Sequence, residues 1–317
     1  MKKRPLVVFI VGPTASGKSA VALAVVRRRP CALISADAMQ VYKGMDIVTD
    51  KPDARVRRRY PHALVDSVAP AREHNVAAFC RAARRALQQA LKAGRLPVVV
   101  GGTGLYVRAL ADGIFEGPSA DARLRRRLGQ EAAVKGAAAL HERLGRVDPV
   151  AAQRIGPHNL RRIIRALEVH EATGQPLSEL QKDTRGLRQE CDVLLFGLRR
   201  KREDLYRRIN RRVDKMLERG LVDEVKVLLK KKLSATARCC IGIREIEGYL
   251  RGAYGLEEAA RLIKRNTRRF AKRQMTWFRK DKDIIWLDVA SDANLARAGR
   301  EIVRRADASR RAGPPGR

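Results

Sequence analysis

The sequence predicts an α/β fold: a parallel sheet flanked by helices, carrying a smaller all-helical insertion domain. Two observations predict it. Continuous apolar runs recur without polar alternation, as strands buried on both faces require. They read LVVFIV at 6–11, CALISA at 31–36, PVVVGG at 97–102, VLLFGL at 193–198 and IIWLDV at 284–289. Helical patterns separate them, and strand–helix alternation sets strands parallel with helices on both faces.

The elements follow in order. After the first run comes a Gly-rich turn and the helical pattern SAVALAVVRRR. A helix is expected over 77–93, stopped by Gly94. Near Gly117-Pro118 the pattern changes, and Ser119 and Asp121 offer caps for a helix starting about residue 120. Residues 120–182 are helical in character throughout, with a stop at Gly174 and Pro176. Long helices are expected over 203–232 and 255–280. The domain reading is a core of 1–116 with 190–305, a helical insertion of 117–189, and a disordered basic tail of 306–317. No internal repeat is present.

The chain has 317 residues, enough for one large domain or two modest ones. Aromatics make up only 4%, so Leu, Val, Ile and Ala must build the core. Lys and Arg number 68 against 34 Asp and Glu, a formal +34. Such a field attracts polyanions, and nucleic acid is the usual partner; an Arg-rich, solvated surface accounts for part of the excess. Five cysteines, at 31, 80, 191, 239 and 240, contain no CxxC pair, which argues against a disulfide framework or a zinc site and for a reducing cytoplasm. The start, MKKRPLVVFIVGP, has an apolar run too short for a signal peptide. No stretch reaches the ~18 apolar residues of a membrane span.

Gly12-Pro13-Thr14-Ala15-Ser16-Gly17-Lys18-Ser19 matches G-x-x-x-x-G-K-[ST] between an expected strand and helix. Its glycines permit dihedrals that aim successive N–H groups at a phosphate, and the helix N-terminus adds partial positive charge. Lys18 supplies a full charge and Ser19 a hydroxyl for Mg²⁺. The sheet is therefore P-loop NTPase-like. ATP is the default nucleotide for such binding, although any diphosphate fits the cradle.

Two further loops follow carboxyl ends of expected strands, where ligands bind in open α/β sheets. One carries Asp37-Ala38-Met39-Gln40, in which Asp37 is a helix cap, a magnesium-side carboxylate or a reacting group. The other carries Gly101-Gly102-Thr103-Gly104, either a tight turn or a close approach of backbone and hydroxyl to a ligand.

GPTASGKS, DAMQVYKGMDIVTDKP and VVVGGTGLYVRAL together resemble the tRNA dimethylallyltransferases. The resemblance continues in GPSAD, RRIIRALEV, RINRRVDKMLERGLVDEV, CCIGIREI and TRRFAKRQMTWFRK, over residues 5–290. Three places depart from the family's pattern. Ala38 stands where Ser is common, Ile243 where Tyr is common, and Val48-Thr49-Asp50-Lys51-Pro52 replaces Gly-Thr-Ala-Lys-Pro. The chain lacks the Cys and His of the eukaryotic members' zinc finger and so resembles the bacterial form.

The resemblance implies transfer of a dimethylallyl group from dimethylallyl diphosphate to the N6 amine of the adenosine 3′ of the tRNA anticodon, with Mg²⁺ as cofactor. It implies Asp37 as general base, Thr103 as donor to the bridging oxygen, and Arg212 beside Lys18 on the diphosphate. Asp37, Ala38, Met39 and Gln40 would read the flipped base. Arg125, the run Arg161, Arg162, Ile163, Ile164, Arg165, and the run Cys239, Cys240, Ile241, Gly242, Ile243, Arg244 align with stretches that touch the anticodon stem-loop. A cytoplasmic monomer without membrane contact is expected. Three rivals remain: a P-loop small-molecule kinase, an adenylate isopentenyltransferase acting on free nucleotides, and a nucleic-acid-binding ATPase. The last needs a water-activating acid that VVVGGTG does not offer.

Overall fold

The computed structural model describes residues 4–115, 117–118, 120–182 and 184–312. Its sheet has six strands: β1 (Leu6–Val11), β2 (Cys31–Ser35), β3 (His62–Ala63), β4 (Leu96–Gly101), β5 (Asp192–Arg199) and β6 (Ile284–Asp288). Their order is β3-β2-β4-β1-β5-β6, and every pairing is parallel. All carboxyl ends therefore open on one edge. β1 lies between β4 and β5, and all six of its residues are buried. That is why its sequence shows no alternation.

One core cluster joins Val8, Ile10, Val98 and Phe196 of the sheet to Val21 and Val25 of the helix Lys18–Val26. The same cluster takes in Leu295, Ala298, Ile302 and Ala306 of the last helix. A second cluster joins Tyr42, Met45 and Val48 to Val213, Val225, Ile243 and Ile263. It fixes the loop after β2 against the helices of the carboxyl-terminal half.

Two expectations need correction. The helix over 203–232 is two helices, Arg202–Glu218 and Leu221–Leu229, because Gly220 adopts φ +91° and ends the first. The basic tail is not disordered through 306–312: a helix spans Asp292–Ala312. Its apolar stripe at 295, 298, 302 and 306 packs into the core, and Asp307 pairs with Arg29. Residues 313–317 lie outside the described residues. β3, a two-residue edge strand, has no signal in the sequence.

The chain forms two compact units, Met1–Ala111 with Leu187–Arg317, and Asp112–Gly186. In the second, the helical stretch Ala122–Val147, broken at Gly136 (φ +83°), and the helices Pro149–Arg154 and Leu160–Thr173 bury Leu128, Leu140, Leu144, Ile163 and Leu167. Asp121 caps the first of these, accepting from the N–H groups of Arg123 and Leu124. Ser119 lies outside the described residues. Gly174, at φ +70°, ends the Leu160–Thr173 helix. No helix of the described residues is long and apolar enough to cross a membrane.

Candidate active site

The loop Gly12–Ser19 leaves β1 and enters the helix Lys18–Val26. Gly12 (φ +144°) and Gly17 (φ +102°) take conformations other residues resist, and Ala15 (φ +64°) joins them. Lys18 Nζ donates to the Gly12 and Pro13 carbonyls at 3.0 and 2.8 Å, folding the ammonium across the loop. Burial lowers its pKa to about 8, with Arg212 adding to the fall and Asp37 opposing it.

The loops after β2 and β4 meet beside it. Asp37 Oδ1 accepts from the N–H groups of Met39 (2.9 Å) and Gln40 (3.2 Å). Its other oxygen accepts no hydrogen bond among the described residues. Thr103 Oγ1 accepts from the Ala38 N–H at 3.1 Å, which leaves the hydroxyl proton for another acceptor. Gly101 is required by contact: a Cβ there would sit 2.1 Å from the Ala36 carbonyl oxygen. Thr14, Gly17, Lys18, Ser19, Asp37, Gln40, Gly101 and Arg212 line one cavity of about 330 Å³.

Sequence reasoning missed Gln274, Arg208 and Arg200 here, whereas it had already placed Arg212 on the diphosphate. Gln274 accepts from the Thr14 N–H and donates to the Gly102 carbonyl, both at 2.8 Å, tying the first loop to the third. Arg208 donates to the Ala15 carbonyl and buried Arg200 to the Ser16 carbonyl. Arg212 donates to Thr14 Oγ1 at 2.8 Å, and its Nε lies 3.0 Å from Asp50 Oδ2. For Arg200 and Arg208 the only local signal was basic character in a basic chain, and Gln274 had none.

Among the described residues no group of three or more His, Cys, Asp or Glu can hold a metal ion alone. Ser19, whose hydroxyl is a hard oxygen donor, lines the cavity. One such donor beside the phosphate cradle suits Mg²⁺, which keeps waters and takes few protein ligands alongside substrate phosphates.

The family model described as IPP transferase matches residues 40–281, and that of isopentenyl transferase residues 5–58. The tRNA dimethylallyltransferase of Pelotomaculum thermopropionicum is 45% identical over 310 residues, covering 96% of each chain. That of Geobacter metallireducens is 47% identical over 289 residues, covering 90% of this chain and 94% of its own. The chain belongs to the tRNA dimethylallyltransferase family. Among solved structures, the Bacillus halodurans tRNA isopentenylpyrophosphate transferase is 39% identical with a TM-score of 0.70, covering 98% of this chain and 99% of its own. A eukaryotic dimethylallyltransferase acting on tRNA is 29% identical with a TM-score of 0.81, covering 99% of this chain and 82% of its own.

Family alignment chose the remaining site residues by position, and the structure divides them. In the helical unit, Arg161 and Arg162 are exposed and form no ion pair among the described residues. Arg125 and Arg165 instead clamp Glu168, whose side chain is 1% exposed, at 2.6–2.9 Å. Burial alone would raise the Glu168 pKa, but hydrogen bonds from both arginines hold it below the usual range. Ile163 is fully buried in that unit's core, so its side chain cannot touch RNA; Ile164 is half-buried beside Arg161 and Arg165.

In the other unit, Cys240 and Ile243 are likewise core residues. Gly242, at φ +109°, starts the helix Ile243–Leu250 and donates its N–H to Glu245. Cys239, Ile241 and Arg244 line a cavity of about 350 Å³ with Arg269 and Arg273, and Cys240 also reaches its wall. The missing Tyr ring at Ile243 therefore alters core packing and not an exposed contact.

Proposed function

We propose that this chain transfers the dimethylallyl group of dimethylallyl diphosphate to the N6 amine of the adenosine 3′ of the anticodon in tRNA, releasing diphosphate. The amine's lone pair forms the C–N bond as the allylic C–O bond breaks. The electron pair of that bond goes to the bridging oxygen of the diphosphate. The nitrogen's proton goes to Asp37, assistance typically worth ~10²–10⁴-fold. Thr103 donates its free proton toward the bridging oxygen. The unengaged amides of the Gly12–Ser19 loop, with Lys18 and Arg212, hold the leaving group's charge by electrostatics already in place. Mg²⁺, held by Ser19 and the diphosphate, would neutralise further charge there. A base in an anticodon loop leaves its stack for about a few kcal/mol. Ala38, Met39 and Gln40 would then border the flipped base. Arg161, Arg162 and Arg244 would grip phosphates without reading sequence. A monomer in the cytoplasm fits these substrates.

The observation that carries this reading is that Asp37, with one carboxylate oxygen unengaged, lines the same cavity as the phosphate cradle. The test is incubation with Mg²⁺, radiolabelled dimethylallyl diphosphate and unmodified tRNA, with AMP and with ATP as parallel acceptors. Label in tRNA supports the proposal. Label in AMP alone would make the chain a free-nucleotide enzyme.

A further inference from the structure

Asp50 stands where the family pattern carries Ala, and the structure gives its carboxylate a place in the chemistry. It lines the cavity with Lys18, Asp37 and Arg212. Its Oδ2 lies 3.0 Å from Arg212 Nε, while Arg212 Nη1 is spent on Thr14 Oγ1. The carboxylate thus sits against the Nε edge of the guanidinium, the edge that offers a fork to two oxygens of a phosphate. Its backbone is held in place: Asp50 adopts φ +49°, its N–H donates to the Ile47 carbonyl, and its carbonyl accepts from Gln40 Nε2 at 3.3 Å. Asp is among the few residues that tolerate this left-handed conformation.

We infer that Asp50 is an anionic placeholder that sets the enzyme's affinity for the diphosphate. It holds the Nε edge of Arg212 beside the cradle and must yield that edge, or share it under charge repulsion, when the diphosphate arrives. The side chain that keeps Arg212 positioned therefore weakens substrate binding and eases diphosphate release. This inference rests on the assignment of the cradle to the diphosphate.

The test is calorimetric titration of inorganic diphosphate with Mg²⁺ into the full chain and its Asp50→Asn, Arg212→Ala, double and Lys18→Ala variants. Asn keeps the size and the tolerance of positive φ while removing the charge. Asp50→Gly, free of strain at this φ, serves if the Asn protein does not fold. Asp50→Asn is expected to bind roughly tenfold tighter, about 1.4 kcal/mol. The gain should vanish in the Arg212→Ala background, and Asp50→Glu should restore wild-type affinity. In turnover, KM for the diphosphate ester should fall and kcat should not rise, because diphosphate leaves more slowly. Equal or weaker binding by Asp50→Asn, with Lys18→Ala still impaired, would overturn the placeholder and leave the cradle standing. Unaltered binding by Lys18→Ala would remove the cradle itself, and this inference with it.

Discussion

The cradle edge of the sheet and the basic face of the helical unit are both rich in polar groups, but they are built by different rules. At the cradle, steric contact dictates residue type. Gly101 admits no Cβ, Gly12 and Gly17 take positive φ, and Gln274 satisfies two loops at once. In the helical unit, arginines that look alike in sequence do opposite things. Arg161 and Arg162 face solvent, while Arg125 and Arg165 neutralise a buried carboxylate. A site built by close contact tolerates few residues, and a charged face tolerates many.

The largest effect expected is at the cradle. Asp37→Ala should lower turnover by ~10²–10⁴-fold while diphosphate-ester binding, measured on the same protein, stays near wild type. A normal rate would take Asp37 out of the mechanism.

Gln274→Ala should follow. It frees the Thr14 amide and the Gly102 carbonyl from each other. Small misplacements of reacting groups can cost ~10²-fold, so kcat/KM should drop by up to that amount with little change in RNA affinity. A loss confined to RNA binding would contradict the bridging role.

The Lys18 ammonium should also be visible in the pH profile. Its pKa is lowered to about 8, so it is cationic below that pH and neutral above it. A neutral amine holds a diphosphate less well, so kcat/KM should fall on an alkaline limb near pH 8. A profile flat well above that value would mean the charge is not used.

The smallest effects should separate the two kinds of arginine. Arg125→Ala leaves Glu168 short of a partner and should destabilise the helical unit by about 1–3 kcal/mol. Because the Glu168 pKa is held down on folding, the stability it lends is present above its ordinary range and lost as pH falls through the lowered value. Arg161→Ala should leave the melting temperature nearly unchanged and instead reduce the salt slope of tRNA binding by about one. Equal melting shifts in the two variants would erase the distinction.

The same contrast explains what the sequence made legible. The strands of the sheet were readable because burial on both faces removes polar alternation, as in LVVFIV. The Gly12–Ser19 loop was readable because its conformation demands glycine at fixed spacing. Gln274 was not, because its partner Thr14 lies 260 residues away and neither residue signals the contact locally. Ile163 and Ile243 were placed on the RNA by their neighbours in an aligned stretch. Helical periodicity turns them inward, which the apolar spacing of RRIIRALEV already permits. The last helix was hidden by its arginines, although Leu295, Ala298, Ile302 and Ala306 carry a core stripe.

The most direct test of the account is a crystal structure with Mg²⁺ and a dimethylallyl diphosphate analogue whose bridging oxygen is replaced by sulfur. The account predicts the diphosphate against the amides of Gly12–Ser19 and Lys18, with the allylic carbon facing the open oxygen of Asp37 and the bridging sulfur near Thr103. A diphosphate bound away from that loop, or an allylic chain turned away from Asp37, would contradict it.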